Sequence, residues 1–130
     1  MNRRRFFLSV AGVALASRAL ADKPRVSSGL AASAAHCAEV ARACQRHCIA
    51  MLPASAAMES CAKAVTDLIP AVDALAALAP GGSRYVGELA KVVGELAKDC
   101  KAECDKHPSM APCKACSDSC AALIAEIAKT

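Results

Sequence analysis

The stretch that decides the fold is CKAECDKHPSMAPCKACSDSC, residues 100–120. Its five cysteines lie at steps of three or four residues on either side of a break at His107-Pro108-Ser109. Side chains three or four positions apart lie on one face of a helix. The stretch therefore predicts two helices that each carry cysteines along one face, with Ser109 as the N-cap of the second helix.

The same periodicity continues along the chain after Ser27 and predicts four helices. They span about 28–52, 54–78, 84–106 and 110–128. Along each one, apolar or small residues alternate steps of three and four, which is typical of a buried seam. Pro70 should kink or split the second helix near Ile69, and the run 79–83 is the clearest break. Four helices with short connections predict an all-α fold, an antiparallel up-down-up-down four-helix bundle with inward-facing cysteines.

All nine cysteines lie on or next to these seams. They are Cys37, Cys44, Cys48, Cys61, Cys100, Cys104, Cys113, Cys116 and Cys120. The predicted topology gathers them in one half of the core, as a column from about 5 Å to about 20 Å below one end of the bundle. The other half should be filled by Leu68, Val72, Leu75, Leu78, Leu89, Val93, Leu123 and Ile127. One or two buried cysteines behave as small hydrophobes, but nine are typical of a specialised thiol scaffold.

The N-terminus has the pattern of a secretory signal. Arg3, Arg4 and Arg5 precede an apolar run at 8–16, and the small residues of Ala19-Leu20-Ala21 follow. This pattern predicts a signal peptide at 1–21, and its paired arginines resemble the twin-arginine export type. A membrane anchor is the alternative, but the run is shorter than the roughly 18 residues that a span needs. We therefore expect a cysteine-rich domain at 22–130, exported to the periplasm.

Charge excludes two classes of partner. The chain has 16 basic and 12 acidic residues, a net charge of +4. The four arginines of segment 1–21 account for the whole excess, so the domain at 22–130 is formally neutral. Tyr85 is the only aromatic residue in that domain. A neutral domain with a single aromatic residue has neither the charge nor the stacking surfaces for nucleic acid and, after signal cleavage, no charge that would attract it to an acidic membrane.

The spacing of the cysteines favours soft metal ions. Cys44 and Cys48 are one of three pairs at i and i+4, which can hold one ion on a single helix face. Thiolates favour Cu(I), zinc and iron–sulfur clusters. A continuous file with an odd total suits several Cu(I) ions that share thiolates better than tetrahedral zinc or cubane clusters. Burial should raise the thiol pKa values, so metal binding should release protons.

Four further residues are candidate metal ligands at the open end of the column. They are Met51, Met58, Met110 and His107. Met51 and His107 each follow a Cys-x3-Cys pair by three residues, in what resembles an internal repeat. Methionine near a helix end can also serve only to fill gaps in the core. His36 and His47 flank core cysteines, and we expect both to face solvent.

Two functions other than the holding of soft metal ions remain possible at this point. An exported domain can use its cysteines for disulfides, although an odd number leaves at least one unpaired. A periplasmic copper chaperone would also need soft ligands, but a buried file of many thiols favours holding the metal over transferring it. Enzymatic activity is not expected, because the sequence has no Ser/His/Asp arrangement or paired carboxylates.

The run Cys100-Lys-Ala-Glu-Cys104-Asp-Lys-His107-Pro-Ser-Met110-Ala-Pro-Cys113-Lys-Ala-Cys116-Ser-Asp-Ser-Cys120 resembles the signature of the cysteine-rich four-helix-bundle bacterial copper storage proteins, in their exported branch. The resemblance implies a non-enzymatic copper storage protein that binds multiple Cu(I) ions through core thiolates. It also implies metal admission past Met and His at the open end, and a homotetramer. Nine cysteines are few for an exported member, so we expect a smaller store.

Overall fold

The computed structural model describes residues 28–130 as four α-helices and no strand. The helices are α1 (Ser28–Met51), α2 (Glu59–Leu78), α3 (Val86–Cys104) and α4 (Ala111–Ala128). A short 3-10 helix, Ala56–Met58, precedes α2. The all-α prediction is confirmed for this part of the chain. The predicted signal peptide at 1–21 lies outside the described residues, and none of the described helices has the length and apolar character of a membrane span.

The helices pack in a ring. α1 and α3 each lie against both α2 and α4, whereas within residues 28–130 the diagonal pairs make no close backbone approach. Side-chain contacts between α1 and α2 include those of Arg42 with Asp73, Gln45 with Thr66, and Cys48 with Cys61. Residue numbers rise along α1 as they fall along α2. This order supports the antiparallel arrangement that the short connections predict for all four helices.

All nine cysteines are buried in the core, as are five of the eight residues that were predicted to fill its apolar half. In α2 every predicted seam residue from Cys61 to Leu75 is fully buried, and in α3 the buried line runs through Ala90, Val93 and Ala97 to the cysteines. Leu89 and Ile127 pack only partly against it. The prediction that Leu78 fills the core is wrong, because Leu78 is the last residue of α2 and is 38% exposed.

Pro70 does not split α2, which runs without interruption from Glu59 to Leu78. Proline removes one backbone N–H, so the carbonyl of Thr66 loses its usual partner four residues on. Thr66 and Pro70 are both exposed, so water can bind that carbonyl. The packed faces of the helix on either side keep it continuous, because tertiary burial outweighs the loss of one exposed hydrogen bond.

The connection between α3 and α4 differs from the prediction at one residue. Met110, with an extended backbone, occupies the N-cap of α4, and its carbonyl accepts the first helical hydrogen bond from Lys114 at 3.0 Å. The N–H of Met110 bonds to the carbonyl of His107 at 3.1 Å, which holds Ser109 inside a turn. The prediction of Ser109 as N-cap is therefore wrong. Pro112 lies in the first turn of α4, where proline needs no N–H partner.

The predicted break at 79–83 is confirmed as a hydrogen-bonded helix end. The N–H of Ser83 bonds to the carbonyl of Leu78 at 3.4 Å, and that of Gly82 to Ala79 at 3.1 Å. Gly82 has φ +63°, in the left-handed region. This pattern is a Schellman motif, in which glycine avoids the steric penalty of a Cβ atom.

We expect Gly82→Ala to destabilise the protein by about 1–2 kcal/mol, the penalty of a Cβ atom in the left-handed region. Gly81→Ala is the matched control, because its φ is not positive and the nearest atom to an added Cβ is 3.9 Å away. Urea unfolding of the reduced apoprotein followed by circular dichroism measures both. Equal effects of the two substitutions would contradict the assignment of the helix end.

Candidate metal centre

All nine cysteine side chains are buried, each with 0% of its surface exposed. Helix α1 contributes three of them, α2 one, α3 two and α4 three. Each occupies a seam position, so the periodicity that makes the helices pack also directs the sulfurs away from solvent. The nine Sγ atoms are called the sulfur file below.

Neighbouring sulfurs in the file are in van der Waals contact. The closest pair is Cys48 and Cys61, with 3.4 Å between their Sγ atoms. Cys61 lies 3.6 Å from Cys104, and Cys100 lies 3.7 Å from Cys116. The other contacts are Cys44–Cys48 at 3.7 Å, Cys44–Cys104 at 3.9 Å and Cys100–Cys104 at 4.0 Å. Cys44 and Cys104 are on diagonal helices, so the sulfurs meet across the centre of the bundle.

The file contains three overlapping groups of potential ligands, each with all its sulfurs within 4.8 Å of one another. The groups are Cys44/Cys48/Cys61/Cys113, Cys44/Cys104/Cys116 and Cys100/Cys116/Cys120. Cys44 belongs to the first two and Cys116 to the last two. Cys37 adjoins the far end through Cys120. A metal in one group therefore shares a ligand with the next, which favours ions with low coordination numbers.

The expectation that burial raises every thiol pKa is correct for some cysteines only. Burial raises the pKa of Cys48 and of Cys113. At Cys61 the thiols of Cys104 and Cys44 donate hydrogen bonds to the sulfur and lower its pKa. Hydrogen bonds from Cys100 and Cys104 likewise lower the pKa of Cys116. Cys61 and Cys116 are thus the positions where the thiolate form is best stabilised, because neighbouring thiols act as donors.

The predicted methionine and histidine ligands lie in different environments. Met58 is fully buried in the core, and Met51 and Met110 pack partly against it. The side chain of His107 is half-buried, and its backbone N–H bonds to the carbonyl of Cys104 at 2.9 Å. His107 belongs to none of the three ligand groups of the sulfur file. Met110 approaches another side chain, that of His47.

His47 is half-buried, so the prediction that it faces solvent is wrong, whereas His36 is exposed as expected. The Nε2 atom of His47 lies 3.4 Å from Sδ of Met110. This contact brings the end of α1 against the start of α4, next to Cys48 and Cys113. Helical spacing within α1 could not reveal it, because the partner is 63 residues away.

A polar network beside Cys104 also escaped sequence reasoning. Asp105 accepts hydrogen bonds from Lys101 at 2.7 Å and from the hydroxyl of Ser117, and these two donors lower its pKa. Ser117 is buried, and so is Ser119, whose hydroxyl donates to the carbonyl of Cys116 at 2.9 Å. Among the described residues, no buried side-chain nitrogen or oxygen lacks a partner. The network joins the end of α3 to α4 and closes the bundle beside the sulfurs.

The arrangement suits the binding of soft metal ions. Thiolates are soft donors, the sulfurs are close enough to share an ion, and the surrounding core excludes competing water. The closest separation, 3.4 Å between Cys48 and Cys61, is well beyond the roughly 2.05 Å of a disulfide bond. All nine cysteines are free thiols in this structure.

A comparison with curated proteins finds no match. A family model described as copper storage protein matches residues 25–130, which is well over half of the chain. The matched span contains the four helices and every residue of the sulfur file. The match confirms that residues 100–120 resemble the copper storage proteins as a family. The chain therefore belongs to the copper storage protein family.

Proposed function

We propose that this protein stores copper as Cu(I), with several ions per chain bound through the cysteine thiolates in the bundle core. The observation that carries the proposal is the continuity of the sulfur file. Eight of the nine buried thiols form overlapping groups, with Cys44 and Cys116 each common to two of them. The proposed ligands are the nine cysteines, together with Met51, Met58, Met110 and His107. These four lie at the end of the bundle where α1 connects to α2 and α3 connects to α4.

Sharing of ligands supports Cu(I) as the stored ion. Structural zinc uses closed sets of four ligands, whereas two of the three groups offer three sulfurs. Cu(I) is soft and accepts few ligands, so bridging thiolates can serve two ions at once. Full burial of the sulfurs supports retention of the ions, because release requires an acceptor to reach ligands that solvent does not touch.

Residues outside the core complete the proposal. The basic and apolar pattern of residues 1–21 supports export to the periplasm by the twin-arginine route, and a pathway for folded proteins would deliver the thiols already buried. The family resemblance supports a homotetramer of antiparallel bundles. A storage role is non-enzymatic and uses the sulfur file only to hold ions.

Anaerobic titration of the reduced protein with Cu(I), against a strong chromophoric chelator, tests storage directly. Thiol counting beforehand should give nine free thiols, whereas a disulfide-stabilised domain would give one or a few. We expect several equivalents of Cu(I) per chain to be withheld from the chelator. A plateau at one equivalent or none would contradict storage.

Two substitutions in α1 test the sharing of ligands. Cys44→Ala removes a sulfur that belongs to two groups, whereas Cys37→Ala removes one that belongs to none of the three. Both side chains are fully buried in the same helix, so the packing change is matched. We expect Cys44→Ala to lower the Cu(I) capacity by at least one equivalent more than Cys37→Ala does in the same titration. Equal losses would show that the sulfurs act independently.

Copper binding should weaken as pH falls. Burial raises the pKa of Cys48 and Cys113, so these thiols hold their protons in the apoprotein and must release them when metal binds. The apparent affinity should drop about tenfold per pH unit for each proton displaced. Competition titrations at pH 6, 7 and 8, corrected for protonation of the chelator, measure the slope. An affinity that does not change with pH would mean that the bound sulfurs were already deprotonated.

A further inference from the structure

The three ligand groups of the sulfur file differ in composition. One contains four sulfurs, from Cys44, Cys48, Cys61 and Cys113, and is called the tetrad below; the other two contain three. All four members of the tetrad are buried. Three helices supply them, because Cys44 and Cys48 belong to α1, Cys61 to α2 and Cys113 to α4. The tetrad is thus the one group among the described residues with a complete set of four thiol ligands.

The dimensions of the tetrad fit a tetrahedral ion. With Zn–S bonds of about 2.3 Å, a tetrahedral zinc ion holds its sulfurs about 3.8 Å apart. In the tetrad, Cys44 and Cys48 are 3.7 Å apart and Cys48 and Cys61 are 3.4 Å apart. The remaining separations are within 4.8 Å, so shifts of a few tenths of an ångström to about 1 Å close the set. The Cys44-x3-Cys48 spacing also matches the short intervals of structural zinc ligands.

Helix termini favour thiolates at two members of the tetrad. Cys61 is the third residue of α2 and Cys113 the third residue of α4, so both lie in the first turn of a helix. The positive end of the helix dipole stabilises negative charge there. The three-sulfur groups lack this feature, because Cys44, Cys100, Cys104, Cys116 and Cys120 all lie beyond the first turn of their helices.

We propose that the tetrad is a tetrathiolate site that binds one Zn²⁺ ion in the protein without copper. Four thiols lose their protons on binding. The ion joins α1, α2 and α4 at the end of the bundle where α1 connects to α2 and α3 connects to α4. Binding to the native state alone stabilises that state. Five cysteines remain outside the site, so the zinc-bound protein keeps part of the sulfur file. The site stands independently of copper storage, because it depends only on these four sulfurs.

Zinc titration of the reduced apoprotein against a chromophoric zinc chelator tests the site. We expect one equivalent to bind, and Co²⁺ substituted for zinc to give the intense visible absorption of tetrahedral thiolate coordination. Cys113→Ala should weaken zinc binding at least tenfold, whereas Cys120→Ala, an equally buried residue of the same helix, should change it less than threefold. Circular dichroism of both variants checks folding. If Cys113→Ala fails to fold, Cys48→Ala against Cys37→Ala provides the same comparison in α1.

Several results would overturn the zinc site. They are the binding of no zinc, the binding of two or more equivalents, a cobalt spectrum typical of octahedral oxygen coordination, and equal weakening by the two variants of a pair. A Cu(I) titration of the same preparation separates this inference from storage. Several Cu(I) ions with no zinc would refute the zinc site alone, whereas one zinc ion with no withheld copper would refute storage alone.

Discussion

The rest of the structure depends on the contact between sulfurs of different helices inside a sealed core. Cys44 and Cys104 meet at 3.9 Å although they belong to helices that do not touch through their backbones. Such a contact requires all four helices to present a small side chain at the same level. Cysteine and alanine permit this, because a leucine at any of these positions would fill the space that the sulfurs share.

A core rich in small thiols needs stabilisation from elsewhere. Away from the sulfur file, the fully buried side chains of Leu68, Val72, Leu75, Val93 and Leu123 supply larger apolar surfaces. Each such side chain contributes about 1.5–3 kcal/mol when it leaves water. The division of the core lets the cysteines be chosen for ligand chemistry, since the helices are held together by the apolar half. It also keeps the sulfurs near one end, which an incoming ion can reach without crossing the whole bundle.

The same division explains the chemistry of the thiols. Burial disfavours thiolates, yet the thiols donate hydrogen bonds to one another, so Cys61 has a lowered pKa while that of Cys48, 3.4 Å away, is raised. In a core of this kind some sulfurs donate hydrogen bonds and others accept them. A metal ion can replace the thiol protons that make these bonds. The position of Cys61 and Cys113 in the first turns of their helices adds a fixed positive potential at one end of the file.

The sequence by itself determined the four helices, the seams that carry the cysteines and the resemblance to the copper storage proteins. Steps of three and four residues place Cys113, Cys116 and Cys120 on one face whatever that face packs against, because the period belongs to the helix. Local signals were less decisive where long-range packing competes with them, so Pro70 did not break α2 and Ser109 did not cap α4. Only the tertiary structure decided which sulfurs form groups and that His47 contacts Met110. Such pairs join residues far apart in the chain, and their distances depend on how the helices pack.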